Sequence, residues 1–183
     1  MGASGWYYFV PFDPDPQAAL QRLREDVFRR GQYFTPKTKK PGRLRSAQAP
    51  GSPKSPRSID ELLMLCKESG THSILDVDRL VTTPHPPSTA DWMRALAVAG
   101  RAATPEEISA QLAAQLTYLG TVGPVAEARL QETCGSHRPE RAALEAAVFT
   151  LISMCPRGAG MWTTVYDAAG APSELLFLGK TGD

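Results

Sequence analysis

The stretch THSILDVDRLVTT, residues 71–83, holds the residue types best suited to acid–base chemistry. If it runs as a regular strand, His72, Asp76 and Asp78 share one face, with Ile74 and Leu80 among them. A histidine beside two carboxylates has the parts for proton transfer or divalent-ion binding, since the carboxylates raise the imidazole pKa or supply oxygen ligands. Their spacing argues against a single ion, because same-face neighbours on a strand stand ~7 Å apart. The alternative is a solvated strand end, with Asp78 paired to a base such as Arg79. His72, Asp76 and Asp78 are therefore candidates without a defined reaction.

Other constellations are weaker still. Gly179-Lys180-Thr181 matches the end of a phosphate loop, but Glu174 stands where the motif needs glycine, and no helix is expected to follow. Cys66 lies near His72 in sequence, yet within the apolar run LLMLCK, where a cysteine packs as a small hydrophobe. Cys155 continues the stripe of Leu144, Val148 and Leu151. Cys134 and His137 in ETCGSHR fall short of the about four ligands of a structural zinc site. Neither a metal nor a cofactor is expected. Three scattered cysteines without CxxC spacing suit a reducing compartment rather than a disulfide framework.

Charge offers a different chemistry. Residues 35–57 hold five prolines and two glycines, with Lys37, Lys39, Lys40, Arg43, Arg45, Lys54 and Arg57 and no acid. Such a segment buries too little apolar surface to offset its ordering entropy and reads as a flexible loop. The other 13 basic residues face 19 acidic ones, so a net charge of +1 conceals a body near −6. The basic side chains are anion-binding candidates that would give salt-dependent affinity for nucleic acid. An acidic body lacks the basic folded face expected of a nucleic-acid binder, so a loop that pairs transiently with the body or is only solvated is the favoured expectation.

Aromatic residues open the chain. In GWYYFVPF, Tyr7 and Phe9 point to one face, and Trp6, Tyr8, Val10 and Phe12 to the other. A strand apolar on both faces is covered on both sides or holds one face for a partner. Base stacking would need basic neighbours, and none occurs between residues 1 and 21. Trp6, Tyr8 and Phe12 are the partner-binding candidates.

The elements that must position these residues are marked by their punctuation. Asp15-Pro16 starts a helix carrying Leu20, Leu23 and Val27, with Gly31 at its end. Ser58 with Glu61 and Thr104 with Glu107 have capping-box spacing, and the second precedes the stripe Ile108, Leu112, Leu116 and Leu119. Further helices are expected near 89–99, 124–133 and 139–154. Strands are expected near 6–12, 72–81, 161–167 and 174–179, the last two joined as a hairpin. An α+β fold follows: a small, mostly antiparallel sheet with helices packed on one face and a helical insertion at 88–155, all in a single domain over 1–183.

With no transmembrane stretch, no basic region ahead of the N-terminal apolar run and an ordinary hydrophobic fraction of 42%, the expectation is a cytoplasmic protein without membrane contact. No catalytic signature emerges, so the balance is against an enzyme. The expected function is a small bacterial-type accessory or immunity-like protein that binds another protein. The alternatives are nucleic-acid association through 35–57, and an enzyme built on His72, Asp76 and Asp78.

Overall fold

The structure, a computed structural model, describes residues 4–35 and 56–181. Its centre is β5 (Pro172–Lys180), whose Leu175, Leu176, Phe177 and Leu178 are all fully buried. A continuous apolar run of this kind requires cover on both faces. Leu175 and Phe177 join one core cluster, while Leu176 and Leu178 join another.

On one flank of β5 runs β1 (Gly5–Pro11), antiparallel, from Gly5 opposite Lys180 to Pro11 opposite Glu174. On the other runs β4 (Gly160–Tyr166), its antiparallel hairpin mate. Beyond β4 lie β3 (Thr121–Pro124) and β2 (Arg79–Leu80), each parallel to its neighbour, giving the order β1-β5-β4-β3-β2. The fold is α+β as expected, but the sheet is mixed: half of its four strand pairings are parallel. The span 88–155 is not purely helical, because it contains β3.

Helices cover both faces rather than one. The first core cluster joins α1 (Pro16–Arg29) and α2 (Ile59–Leu65) to the sheet through Leu20, Leu23, Val27 and Leu62. The second joins α5 (Glu127–Cys134) and α6 (Arg141–Met154) through Leu130, Leu144, Val148 and Leu151. The predicted caps form: Asp15 accepts hydrogen bonds from the N–H groups of Gln17 and Ala18 at the start of α1. Thr104 and Glu107 close a capping box on α4 (Pro105–Leu116), which follows α3 (Thr89–Val98).

The expected strand over 72–81 shrinks to β2. His72 has a left-handed backbone with φ 54°, and Ile74–Asp76 form a 3-10 turn. Local side chains divert the backbone. Ser73 Oγ accepts from the Leu75 N–H, and Asp76 Oδ1 accepts from the Thr71 N–H at 2.7 Å. Such short-range bonds compete with a sheet ladder. Ile74, Leu75 and Val77 fill the core under α1 instead of alternating along a strand.

Candidate partner-binding edge

β1 is the outer strand of the sheet, and its pairing decides which backbone groups it spends. Ser4 C=O accepts from the Thr181 N–H at 3.0 Å, and Phe12 N–H donates to Ser173 C=O at 3.1 Å. An antiparallel ladder alternates, so Ser4, Trp6, Tyr8, Val10 and Phe12 direct their polar groups toward β5. Gly5, Tyr7 and Phe9 direct an N–H and a C=O each toward the free edge, and Pro11 offers a C=O alone. Among the described residues β1 pairs with β5 and no other strand.

The same alternation sorts the side chains. The even-numbered ones turn toward α1. Trp6, 5% exposed, lies within the core, with Tyr8 and Val10 half-buried beside it. Its indole lies across the sheet because Gly160 and Gly179 leave it room; a Cβ at Gly160 would stand 2.8 Å from the ring. Trp6, Tyr8 and Phe12 therefore do not form one exposed patch: Phe12 alone is exposed, at 40%. Phe12 borders a groove of about 230 Å³ between the end of β1 and α1, floored by Val10, Ala19 and Leu23. Arg22 and Asp26 at its mouth are already paired, with Asp13 and Arg30.

The odd-numbered side chains turn toward α6. Tyr7, 43% exposed, meets Phe149 edge-on at 6.2 Å, and Phe149 is itself 73% exposed. Arg141 lies 4.4 Å over the Phe9 ring and holds Glu145 and Glu174 at 2.8 and 2.7 Å. The α6 side of the edge is thus aromatic, flanked by one arginine shared between two glutamates. Sequence reasoning passed over Tyr7 and Phe149. Phe149 carried a signal, being an aromatic set off the apolar stripe of its own helix.

Of the acid–base candidates, His72 lies within electrostatic reach of Asp76. His72 Nδ1 lies 2.8 Å from Ser4 Oγ, and its ring packs 4.8 Å from that of Phe34. Asp78 is exposed, and its carbonyl accepts from Gln21 Nε2 at 2.8 Å. Asp76 borders a cavity of about 290 Å³ with Cys66, Lys67, Glu68 and Leu119. Burial raises the Asp76 carboxyl pKa, opposed by hydrogen bonds from Thr71 and by the nearby His72, and Oδ2 is buried with no hydrogen-bond partner among the described residues. Burial, reinforced by Asp76, also raises the Cys66 thiol, which donates to Phe34 C=O at 3.3 Å. A thiol held protonated is the opposite of an activated nucleophile. Cys155 is pushed up to about 12 by burial. No group of three or more His, Cys, Asp or Glu among the described residues is placed to hold a metal ion.

The remaining sequence motifs have structural explanations or lie outside the description. Gly179 makes way for Trp6, Lys180 Nζ donates to Ser153 C=O, and Thr181 closes onto Ser4, so the GKT tripeptide forms no phosphate cradle. Lys37, Lys39, Lys40, Arg43, Arg45 and Lys54 lie outside the described residues; Arg57 is exposed, its N–H donating to Glu61 at 2.7 Å. His85 received no weight in the sequence. It is buried, with Nε2 3.0 Å from Thr121 Oγ1 and its ring against Tyr118 at 4.8 Å. Burial, aided by Arg129, lowers its pKa to about 4, so it is a neutral packing residue at physiological pH.

Among the described residues no helix is long and apolar enough to cross a membrane. The described residues are thus defined by their architecture: a mixed five-stranded sheet between two helical layers, with an aromatic strand at one edge that pairs with β5 and no other described strand. Comparison with protein-family models, curated proteins and solved structures finds no match to it.

Proposed function

We propose that this chain is an accessory protein that works by binding another polypeptide, and that it does so by accepting an extended strand along the free edge of β1. The observation that carries this reading is the coincidence of exposed aromatics with adjacent backbone groups at Gly5, Tyr7 and Phe9 that no described residue bonds. An added strand gains main-chain hydrogen bonds from the edge and specificity from alternate side chains on its two faces. Here one face offers Tyr7 and Phe149, and the other the groove beside Phe12.

The exposed leucines of α4, Leu112 and Leu116, are the competing apolar surface. A helix has already satisfied its backbone, so that stripe offers apolar contact alone. The edge offers both kinds of interaction.

A photoreactive phenylalanine at Phe149, introduced in the source cell, tests the reading. The expected result is a covalent adduct with a polypeptide that disappears when Tyr7 is also changed to proline. Proline removes one outward N–H and leaves the β5 ladder intact, as edge positions allow. Circular dichroism checks that the Tyr7→Pro chain folds. Absence of an adduct, or one indifferent to Tyr7→Pro, overturns the proposal.

A further inference from the structure

Resting on that reading of the edge, we infer that in the isolated protein the strand added to β1 is the β1 of a second copy, paired antiparallel about a two-fold axis at Tyr7. The first argument is one of need. Native proteins protect sheet edges with short strands, charged side chains, bulges or covering segments. β1 is seven residues long and carries no Lys, Arg, Asp or Glu. Its pairing with β5 runs in unbroken register, and its single proline is at the end. Left bare, such a strand is a template for pairing with another chain.

The second argument is self-complementarity. The outward-facing set Gly5, Tyr7 and Phe9 is centred on Tyr7. A two-fold axis there places Gly5 opposite Phe9 of the second copy, and Tyr7 opposite Tyr7, so all three residues on each copy exchange both bonds. Centring on Phe9 would instead set Pro11, which has no N–H, against the Tyr7 C=O. The axis at Tyr7 also joins the Tyr7 and Phe149 rings of both copies on the α6 side.

The third argument is charge and closure. Arg141 over Phe9 is held by Glu145 and Glu174, a cluster of one positive and two negative side chains, so any repulsion between copies is one net negative charge on each side. A two-fold contact consumes both edges and stops at a dimer. One strand and two rings per copy fall below the about 800 Å² per partner of a standard stable interface. The dimer is therefore a concentration-dependent equilibrium, which a tighter-binding foreign strand displaces.

Sedimentation equilibrium of the full chain across the micromolar range tests this. The expected result is a monomer–dimer equilibrium with no larger species, weakened at least about tenfold by Tyr7→Pro, which removes two interfacial donors per dimer. The double variant Tyr7→Lys with Phe149→Lys leaves the backbone alone and is expected to weaken it comparably. Leu116→Gln on α4 is expected to leave it unchanged. Amide exchange should show Gly5, Tyr7 and Phe9 gaining protection as concentration rises. A chain monomeric throughout, or a dimer sensitive to Leu116→Gln and not to the Tyr7 variants, overturns the inference. A monomer whose cellular adduct at Phe149 still depends on Tyr7 would sink the self-pairing alone; loss of that dependence would sink the strand-addition reading as well.

Discussion

The two edges of this sheet are finished in opposite ways. At the β2 edge the strand is two residues long, begins with Arg79, and is bonded by α1. Leu80 N–H donates to Gln17 Oε1 at 2.9 Å, and Gln21 Nε2 donates to the Asp78 carbonyl at 2.8 Å. At the β1 edge the strand is seven residues long, uncharged and aromatic, and no described residue bonds its outward groups. Evolved sheets close their edges by the devices seen at β2. The contrast is the ground on which β1 is proposed as the pairing edge.

The largest effect on this contrast comes from loosening α1, which bonds the β2 edge and borders the end of β1. Leu20 on α1 is fully buried. Leu20→Ala is expected to cost about 2–5 kcal/mol by the cavity it leaves, read from chemical denaturation, and to loosen the Gln17 and Gln21 bonds at β2.

Uncapping β2 comes next. Gln17→Ala removes the acceptor for the Leu80 N–H and is expected to cost about 1–2 kcal/mol. It should also accelerate Leu80 amide exchange and leave the β1 amides unchanged. A change confined to β1 would invert the comparison.

A pH effect of similar size belongs to the β2–β3 side, where His85 packs on Thr121. Its pKa is about 4 in the folded chain against an ordinary 6.5. The unfolded chain takes up the proton first as pH falls. Stability is therefore complete above pH 6.5, declines from 6.5 to about 4 and then levels off. The loss is on the order of 1–3 kcal/mol. His85→Gln should flatten that part of the curve relative to the parent chain, while Tyr7→Lys should leave it unchanged.

The smallest effect is at the helix start that follows β1. Asp15→Ala removes the acceptor for two N–H groups of α1 and is expected to cost about 1 kcal/mol, measured as a shift in denaturation midpoint.

Much of this architecture was legible in the residues, for local reasons. The caps Asp15, Ser58 and Thr104 lie within a turn of the helices they start, and β4 and β5 are joined by a short Gly/Pro turn. β3 was not legible: TVGP is four residues with glycine and proline, and it becomes a strand because β2 and β4 flank it. The residues after His72 misled, because Ser73 and Asp76 satisfy nearby backbone groups that the β-branched pattern assigned to a ladder. Sheet order depends on long-range pairing and carries no local mark. The doubly apolar character of the N-terminal strand and its division into two faces were readable, but which aromatics would be exposed was not. Trp6 enters the core because Gly160 and Gly179, both far away in sequence, have no side chains to exclude it. That left Tyr7 rather than Trp6 at the surface.

Residue-resolved amide exchange on the dilute chain tests the open edge most directly. The account predicts alternation along β1, with slow exchange at Trp6, Tyr8 and Val10 and fast exchange at Gly5, Tyr7 and Phe9. Uniform protection of all six amides at the lowest concentration would show the edge already covered within one chain, and would contradict it.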